Sequence, residues 1–137
     1  MITAIDTNIL IDIFIADPKF GNHSAQALRR CMQEGTVYAC EIVWVETAIV
    51  FSDHQAFLKS IHTLKVEYSA ITQETASATT FAWRKYRKSG GKRERVVADF
   101  LIGAHALTQC DRLLTRDRGF YRNYFDDLLV LDPSTIS

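Results

Sequence analysis

The sequence has no excess of charge of either sign. Among its 137 residues, 16 lysines and arginines balance 16 aspartates and glutamates, so the formal net charge is zero. A chain that coats nucleic acid through bulk positive charge is therefore excluded, because such binding requires an excess of basic residues. Any contact with nucleic acid has to come from a local basic patch or from a bound metal ion.

Long apolar runs and paired cysteines are also missing. No stretch approaches the roughly 18 apolar residues that a membrane helix needs, and the start, MITAIDTNIL, lacks the basic segment of a signal peptide. The three cysteines, Cys31, Cys40 and Cys110, form no CxxC pair and no zinc-like cluster with histidine, which favours reduced structural thiols. We expect a cytoplasmic protein with no membrane association.

Glycine and proline are scarce, with six and two residues, and no linker or internal repeat interrupts the chain. An apolar content of 47% suffices for a core, and the length suits one domain over residues 1–137. There is no GxGxxG or P-loop sequence, so a nucleotide cofactor has no support.

Short apolar strands alternate with helices along the chain. Apolar, β-prone segments predict five strands, at residues 2–5, 37–40, 64–68, 112–115 and 128–131. Helical spacing predicts helices at residues 9–14, 22–33, 42–61, 72–88 and 96–109, with a turn around 117–124. This alternation indicates an α/β fold with a mainly parallel sheet, in which ligands gather at the carboxyl ends of the strands.

Three carboxylates lie within apolar stretches, whereas the other acids are interpreted mostly as solvated surface charges. Asp6 lies in ITAIDTNILI, Glu46 in IVWVETAIVF and Asp99 in VVADFLIGAHAL. A buried carboxylate is costly unless it is paired, protonated or bound to metal. Each also has a purely structural explanation: Asp6 as a helix cap, Glu46 as an exposed position on a partly buried helix, and Asp99 as a first-turn acid favoured by the helix dipole.

A fourth acid, Asp117 in LLTRDRGF, follows the fourth predicted strand as Asp6 follows the first. Alone, it suits a helix cap or a surface ion pair. Together, the four carboxylates can converge on one point, and the apolar runs that carry the first three contain no lysine or arginine to neutralise them. A cluster of oxygen ligands favours Mg²⁺ or Mn²⁺, and such ions serve phosphodiester hydrolysis by activating water.

In their order and spacing, these motifs resemble the PIN-domain family, and in particular the toxin ribonucleases of VapBC toxin–antitoxin pairs. The motifs are DTN after the first strand, an acid on the third helix, ADFLIGAHAL and LLTRDRGF. The resemblance implies a three-layer α/β/α sandwich that cleaves RNA with Mg²⁺ or Mn²⁺, forms a homodimer and is inhibited by a small antitoxin. By position, it assigns catalytic and metal-binding roles to Asp6, Glu46, Asp99 and Asp117. It assigns supporting polar roles to Asn8 and Thr115.

A basic stretch precedes the third acid, where family members commonly have a shorter segment. Seven of the sixteen basic residues lie between positions 84 and 95, with Trp83 and Tyr86 interleaved. The stretch suits either a solvated helix end or a surface that follows RNA phosphates and stacks on unpaired bases. The candidate RNA-binding residues are Arg93, Arg95, Arg116 and Arg118. The last two of these flank Asp117 and could instead hold that acid in place.

Three functions stay open at this level. The first is a Mg²⁺- or Mn²⁺-dependent endoribonuclease that uses water as nucleophile and is the toxin of a type II toxin–antitoxin pair. The second is a haloacid-dehalogenase-like phosphatase with Asp6 as covalent nucleophile, although such enzymes usually have a second acid where this chain has Asn8. The third is a non-catalytic module that binds RNA or protein.

Overall fold

The computed structural model describes residues 1–91 and 97–135. Within these residues, five parallel strands form one sheet in the order β3-β2-β1-β4-β5. The strands are β1 (Ile2–Ile5), β2 (Thr36–Ala39), β3 (Glu67–Tyr68), β4 (Arg112–Leu114) and β5 (Val130–Leu131). The prediction of a mainly parallel sheet of about five strands is confirmed.

The described part of the chain also contains seven α-helices, and none of them is both long and apolar enough to cross a membrane. They are α1 (Thr7–Phe14), α2 (Gly21–Glu34), α3 (Glu41–Ala48), α4 (His54–Thr63), α5 (Gln73–Lys88), α6 (Val97–Gln109) and α7 (Arg118–Tyr124). Crossovers between parallel strands are right-handed, so helices that lead toward opposite edges of the sheet cover opposite faces. The fold is the predicted three-layer α/β/α sandwich.

The strand order creates a switch point in the middle of the sheet. From β1 the chain moves outward to β2 and β3 on one side, and it then crosses back to add β4 and β5 on the other. The carboxyl ends of β1 and β4 are neighbours, and the Asp6 N–H donates to the Leu114 carbonyl at 3.0 Å. In open α/β sheets a ligand crevice forms at such a switch point.

Gly35 ends α2, as the sequence predicts, because the start of β1 leaves no room for a side chain. A Cβ atom at this position would lie 1.8 Å from the carbonyl oxygen of Met1. The N–H of Thr36 donates to the same oxygen at 3.1 Å, so β1 and β2 pair directly beyond the glycine. A larger residue would push apart the two strands that lead to the switch point.

The helix predicted over residues 42–61 is wrong, since this region contains α3 and α4 separated by a short turn. Asp53 has extended backbone angles, and its carboxylate accepts from the Gln55 N–H at 3.1 Å, so Asp53 caps a new helix. Phe51, within the turn, packs edge-on against Phe14 at 5.2 Å and Phe57 at 5.6 Å. Tertiary packing and a side-chain cap therefore overcome a continuous apolar pattern.

The turn predicted around residues 117–124 is also wrong, because most of this segment forms α7. The helix buries Phe120 and Tyr121 on the side facing the core. Phe120 packs against Phe100 of α6 at 5.1 Å, and Tyr124 packs against Tyr86 of α5 at 5.2 Å. Burial of this aromatic surface stabilises a short helix that Gly119 and Asn123 do not favour.

Candidate active site at the carboxyl ends of β1 and β4

Asp6 joins β1 to α1, and its side chain is only 6% exposed. The N–H of Thr7 donates to Oδ1 at 2.7 Å, and the hydroxyl of Thr115 donates to Oδ2 at 2.7 Å. Burial raises the pKa of Asp6 from 3.8 to about 6 in spite of these hydrogen bonds, and the nearby Asp99 carboxylate contributes a smaller rise. Asp6 is therefore both the predicted helix cap and a buried acid whose negative charge is destabilising.

The orientation of the Thr115 hydroxyl follows from its neighbours. It accepts from Asn8 Nδ2 at 3.3 Å and from the Asp117 N–H at 3.0 Å. A hydroxyl has one proton and two acceptor sites, so with both acceptor sites used its proton has to point at Asp6. Asn8 is itself oriented by the Arg116 N–H, which donates to Oδ1 at 3.3 Å. The two predicted supporting residues, Asn8 and Thr115, thus lie in one hydrogen-bond network with Asp6.

The Tyr121 side chain connects the surroundings of Asp6 with two further elements, α6 and α7. Tyr121 is 1% exposed, and its hydroxyl lies near enough to Asp6 to lower the pKa of that acid. Burial raises the pKa of Tyr121 well above its usual value, followed by the charges of Asp6 and Asp99 and then by that of Asp117. Asp99, in the first turn of α6, and Asp117, at the N-cap of α7, are both half-buried. The charges of three of the four predicted acids therefore act on one buried hydroxyl.

Glu46, the fourth predicted acid, is exposed on α3 and not buried as the apolar surroundings in the sequence suggest. The hydroxyl of Thr7 donates to Glu46 Oε1 at 2.7 Å, which connects α3 to the residue that follows Asp6. Glu46 is exposed because this side of α3 faces solvent: Val45 is 55% exposed, and Ile49, which follows the helix, is 75% exposed. Glu46 lies at the rim of the acidic site.

The chemistry of the site suits a hard cation, but its ligands are not arranged as a closed cage. Within residues 1–91 and 97–135, no three acidic, histidine or cysteine side chains are grouped as the ligands of one metal ion. Mg²⁺ is usually held by only one or two carboxylates, with waters and phosphate oxygens completing its shell. A buried carboxylate with a raised pKa, next to a second carboxylate, supplies that smaller donor set.

The candidate RNA-binding arginines have different surroundings. Arg116 makes an ion pair with Asp12, with Nε 2.7 Å from Oδ2, and Arg118 Nε lies 3.7 Å from Asp132 Oδ2. Arg93 and Arg95 lie outside the described residues. Among the interleaved aromatics, Tyr86 is buried against Phe100 and Tyr124, and Trp83 packs edge-on against Phe100 at 5.4 Å. Tyr86 belongs to the core and does not offer a surface for stacking on bases.

Two functional candidates escape sequence reasoning. Asp12 was interpreted with the surface acids, which is wrong, since it is 2% exposed within α1. Its position in the apolar run NILIDIFI, four residues after Asn8, is a signal that could have identified it. Tyr121 carries no such signal, because a tyrosine in RGFYRNYF is compatible with many environments.

Comparison with known proteins agrees with this geometry. The fold and site define a doubly wound α/β protein with acidic residues at its switch point. The PIN domain family model matches residues 3–126, and the chain belongs to this family. A search of curated proteins found no match for the sequence.

Among solved structures, similar chains come from toxin–antitoxin complexes. A chain of Rickettsia felis VapBC2 bound to a promoter DNA fragment has a TM-score of 0.76 at 17% identity, covering 96% of this chain and 98% of its own. A chain of VapBC-1 from nontypeable Haemophilus influenzae has a TM-score of 0.75 at 19% identity, covering 98% of this chain and 100% of its own. A chain of a Klebsiella pneumoniae toxin–antitoxin complex has a TM-score of 0.67 at 22% identity, covering 98% of this chain and 99% of its own. At these identities the likeness establishes the fold.

Proposed function

We propose that this chain is a Mg²⁺- or Mn²⁺-dependent endoribonuclease and the toxin subunit of a type II toxin–antitoxin pair. The observation that carries the proposal is the buried Asp6 carboxylate at the switch point of a PIN-domain sheet, where the charges of Asp99 and Asp117 act on the neighbouring Tyr121. The Asp6 carboxylate is 6% exposed, and this burial penalises its negative charge. A divalent cation is a partner of the right charge and size.

The proposed metal ligands are Asp6 and Asp99, with Asp117 and Glu46 completing the acidic rim. Burial raises the pKa of Asp6 to about 6, and a nearby cation would lower it and stabilise the ionised form. Carboxylate oxygens are the ligands that Mg²⁺ and Mn²⁺ prefer. When bound, such an ion would polarise a phosphate and lower the pKa of water.

The remaining roles belong to the protein's own side chains. Thr115 directs its hydroxyl proton at Asp6 and, with the Thr7 N–H, keeps the carboxylate in one orientation, while Asn8 holds Thr115. Glu46, exposed and anchored to Thr7, is a suitable acceptor for the proton that attacking water loses. The water oxygen forms a bond to phosphorus as the bond from phosphorus to one ribose oxygen breaks, with no covalent intermediate on the protein.

RNA is the proposed substrate because the sequence resembles toxin ribonucleases and the similar structures are toxin–antitoxin complexes. Arg118 is proposed to lie along the RNA backbone, together with Arg93 and Arg95 of the basic stretch, whereas the Arg116 side chain is paired with Asp12. A small antitoxin, a second copy of this chain and a cytoplasmic setting complete the proposal, by analogy with those complexes.

The experiment compares wild-type protein with Asp6→Asn and, as a matched control, Asp126→Asn, an exposed acid that is not among the four predicted site acids. Each is incubated with a pool of structured and single-stranded RNA, and with the same sequences as DNA, in Mg²⁺, in Mn²⁺ and in EDTA. We expect the wild type and Asp126→Asn to cleave RNA only with metal, and Asp6→Asn not to cleave it. Metal-dependent cleavage that survives in a clean Asp6→Asn preparation would contradict the proposal, and cleavage of DNA alone would change the substrate.

The same preparation separates the two alternatives. Trapping of a beryllium fluoride mimic on Asp6 would favour the phosphatase, although both Asp6 oxygens are already engaged by Thr7 and Thr115. RNA binding that EDTA does not affect, with no cleavage of any RNA, would favour the binding module.

A further inference from the structure

Arg116 and Asp12 form a two-pronged ion pair beside the acidic site. Arg116 Nε lies 2.7 Å from Asp12 Oδ2, and Nη2 lies 3.0 Å from Oδ1. The Asp12 side chain is 3% exposed and also accepts from the Ser24 hydroxyl at 2.8 Å. The guanidinium carbon lies 3.9 Å from the ring centre of Phe20. The guanidinium is thus held at its edge by a carboxylate and on its face by an aromatic ring.

This pair fixes the segment that carries two site residues, because Arg116 lies between Thr115 and Asp117. The backbone N–H of Arg116 donates to Asn8 Oδ1 at 3.3 Å, while its side chain reaches Asp12. Asn8 and Asp12 are four residues apart and lie on the same side of α1. Helix α1 therefore holds the segment after β4 at two points one turn apart, and Asp6 caps the N-terminus of the same helix.

We propose that Asp12 and Arg116 are positioning residues of the nuclease site, acting through Thr115 and Asp117. The inference rests on the proposed function and adds to it. A buried ion pair gives little net stability compared with apolar residues of the same shape, so stability alone is a weak reason for this arrangement. The planar arginine fork restricts rotation and translation of the segment together, which a lysine ammonium cannot do.

The competing role for Arg116 is direct contact with an RNA phosphate. Asp12 separates the two roles, because its buried carboxylate cannot touch RNA and would repel it. If Arg116 contacts a phosphate, only its own substitution should reduce activity, and another positively charged side chain should replace it. If the pair positions the site, substitution of either Arg116 or Asp12 should reduce activity, and the two-pronged geometry of arginine should be required.

The test uses full-length Arg116→Lys and Asp12→Asn, with Arg29→Lys on the exposed side of α2 as the matched control. Mn²⁺ binding is measured calorimetrically without RNA, kcat and KM are measured on the RNA that wild type cleaves, and circular dichroism and thermal unfolding report the fold. For a positioning role, we expect both variants to bind Mn²⁺ about 10- to 100-fold more weakly and to lose kcat by a similar factor. KM should change little, and Arg29→Lys should match wild type in every measurement.

Several results would overturn the inference. A folded Asp12→Asn protein with wild-type Mn²⁺ affinity and kcat would do so, as would a raised KM with unchanged Mn²⁺ affinity in the Arg116 variant. If Asp12→Asn fails to fold, Arg116→Lys decides alone, since it keeps a positive charge opposite Asp12. A wild-type protein that neither binds Mn²⁺ nor cleaves RNA would overturn the proposed function itself. If the wild type binds Mn²⁺ and cleaves RNA but the variants do so equally well, only the positioning role is overturned.

Discussion

Replacing Asp6 with asparagine should stabilise the metal-free protein at neutral pH while it removes activity. Burial, with a smaller contribution from Asp99, raises the pKa of Asp6 from 3.8 to about 6. A difference of about two pH units between the unfolded and folded pKa corresponds to about 3 kcal/mol, by which ionised Asp6 destabilises the fold. Asparagine has the same shape and carries no charge, so it removes this penalty.

The substitution also loses a hydrogen bond. The Asp6 carboxylate accepts from both Thr7 N–H and the Thr115 hydroxyl, whereas an amide offers a single acceptor oxygen. Since the loss of one such bond costs about 1 kcal/mol, the expected net gain in the free energy of unfolding is about 2 kcal/mol at pH 7.5. Trp44 and Trp83, both half-buried, allow the transition to be followed by fluorescence in urea with EDTA present.

The stability penalty of ionised Asp6 depends on pH, and its sign follows from the raised pKa. Because the folded pKa of Asp6 is raised, the penalty is absent below about pH 3.8, grows between pH 3.8 and 6, and is fully present above pH 6. The advantage of Asp6→Asn should therefore be about 1 kcal/mol smaller at pH 5 than at pH 7.5. Adding Mg²⁺ at pH 7.5 should stabilise the wild type and leave the variant nearly unchanged.

Two outcomes would refute this reasoning. One is an Asp6→Asn protein that is less stable than wild type at pH 7.5 in EDTA, which would mean that the ionised carboxylate is not penalised. The other is an advantage that does not change between pH 5 and pH 7.5, which would mean that its origin is not the charge. The exposed control Asp126→Asn should stay within about 0.5 kcal/mol of wild type at both pH values.

Three further predictions concern the fold. Phe57→Ala should lower the free energy of unfolding by about 3–5 kcal/mol in urea denaturation, since the ring is fully buried; a loss below about 1 kcal/mol would contradict its place in the core. Gly103→Ala should cost about 1–3 kcal/mol, because the new Cβ would lie 2.4 Å from the Phe125 ring, and an unchanged unfolding midpoint would show that the ring moves freely. Burial raises the pKa of Cys110 to about 12 and raises that of the other two thiols, so none should react readily with a thiol reagent at pH 8 until urea is added.

Much of the fold could be predicted from local pattern. The strand at residues 2–5 and the helices starting near residues 22 and 72 agree closely with β1, α2 and α5 because apolar periodicity and capping residues act over a few neighbours. The errors fall where local and tertiary preferences compete. Asp53 and Phe51 break an apolar helix, and Phe120 and Tyr121 create a short one, through contacts with distant rings.

Part of the candidate site could likewise be predicted from local pattern. Acids within apolar stretches or after predicted strands could be identified as candidates, and these are Asp6, Asp99 and Asp117. In the structure, the charges of all three act on the Tyr121 hydroxyl. The apolar sequence around Glu46 suggested burial, but the side chain is exposed, because an apolar helix at the end of a sheet can still turn one side to solvent. The assignment of these acids as metal ligands stays a prediction that the proposed experiments test.

The class of fold, the parallel sheet and the set of acids can be predicted from local sequence, because strand and helix periods, turn residues and the cost of burying a carboxylate depend on nearby residues alone. The partners of each acid, in contrast, follow from long-range contacts. The Asp12–Arg116 pair joins residues 104 positions apart, and the Asp6–Thr115 hydrogen bond joins residues 109 apart. Contacts of that separation depend on the order of the strands, which places β1 beside β4 and brings Asp6 to Thr115.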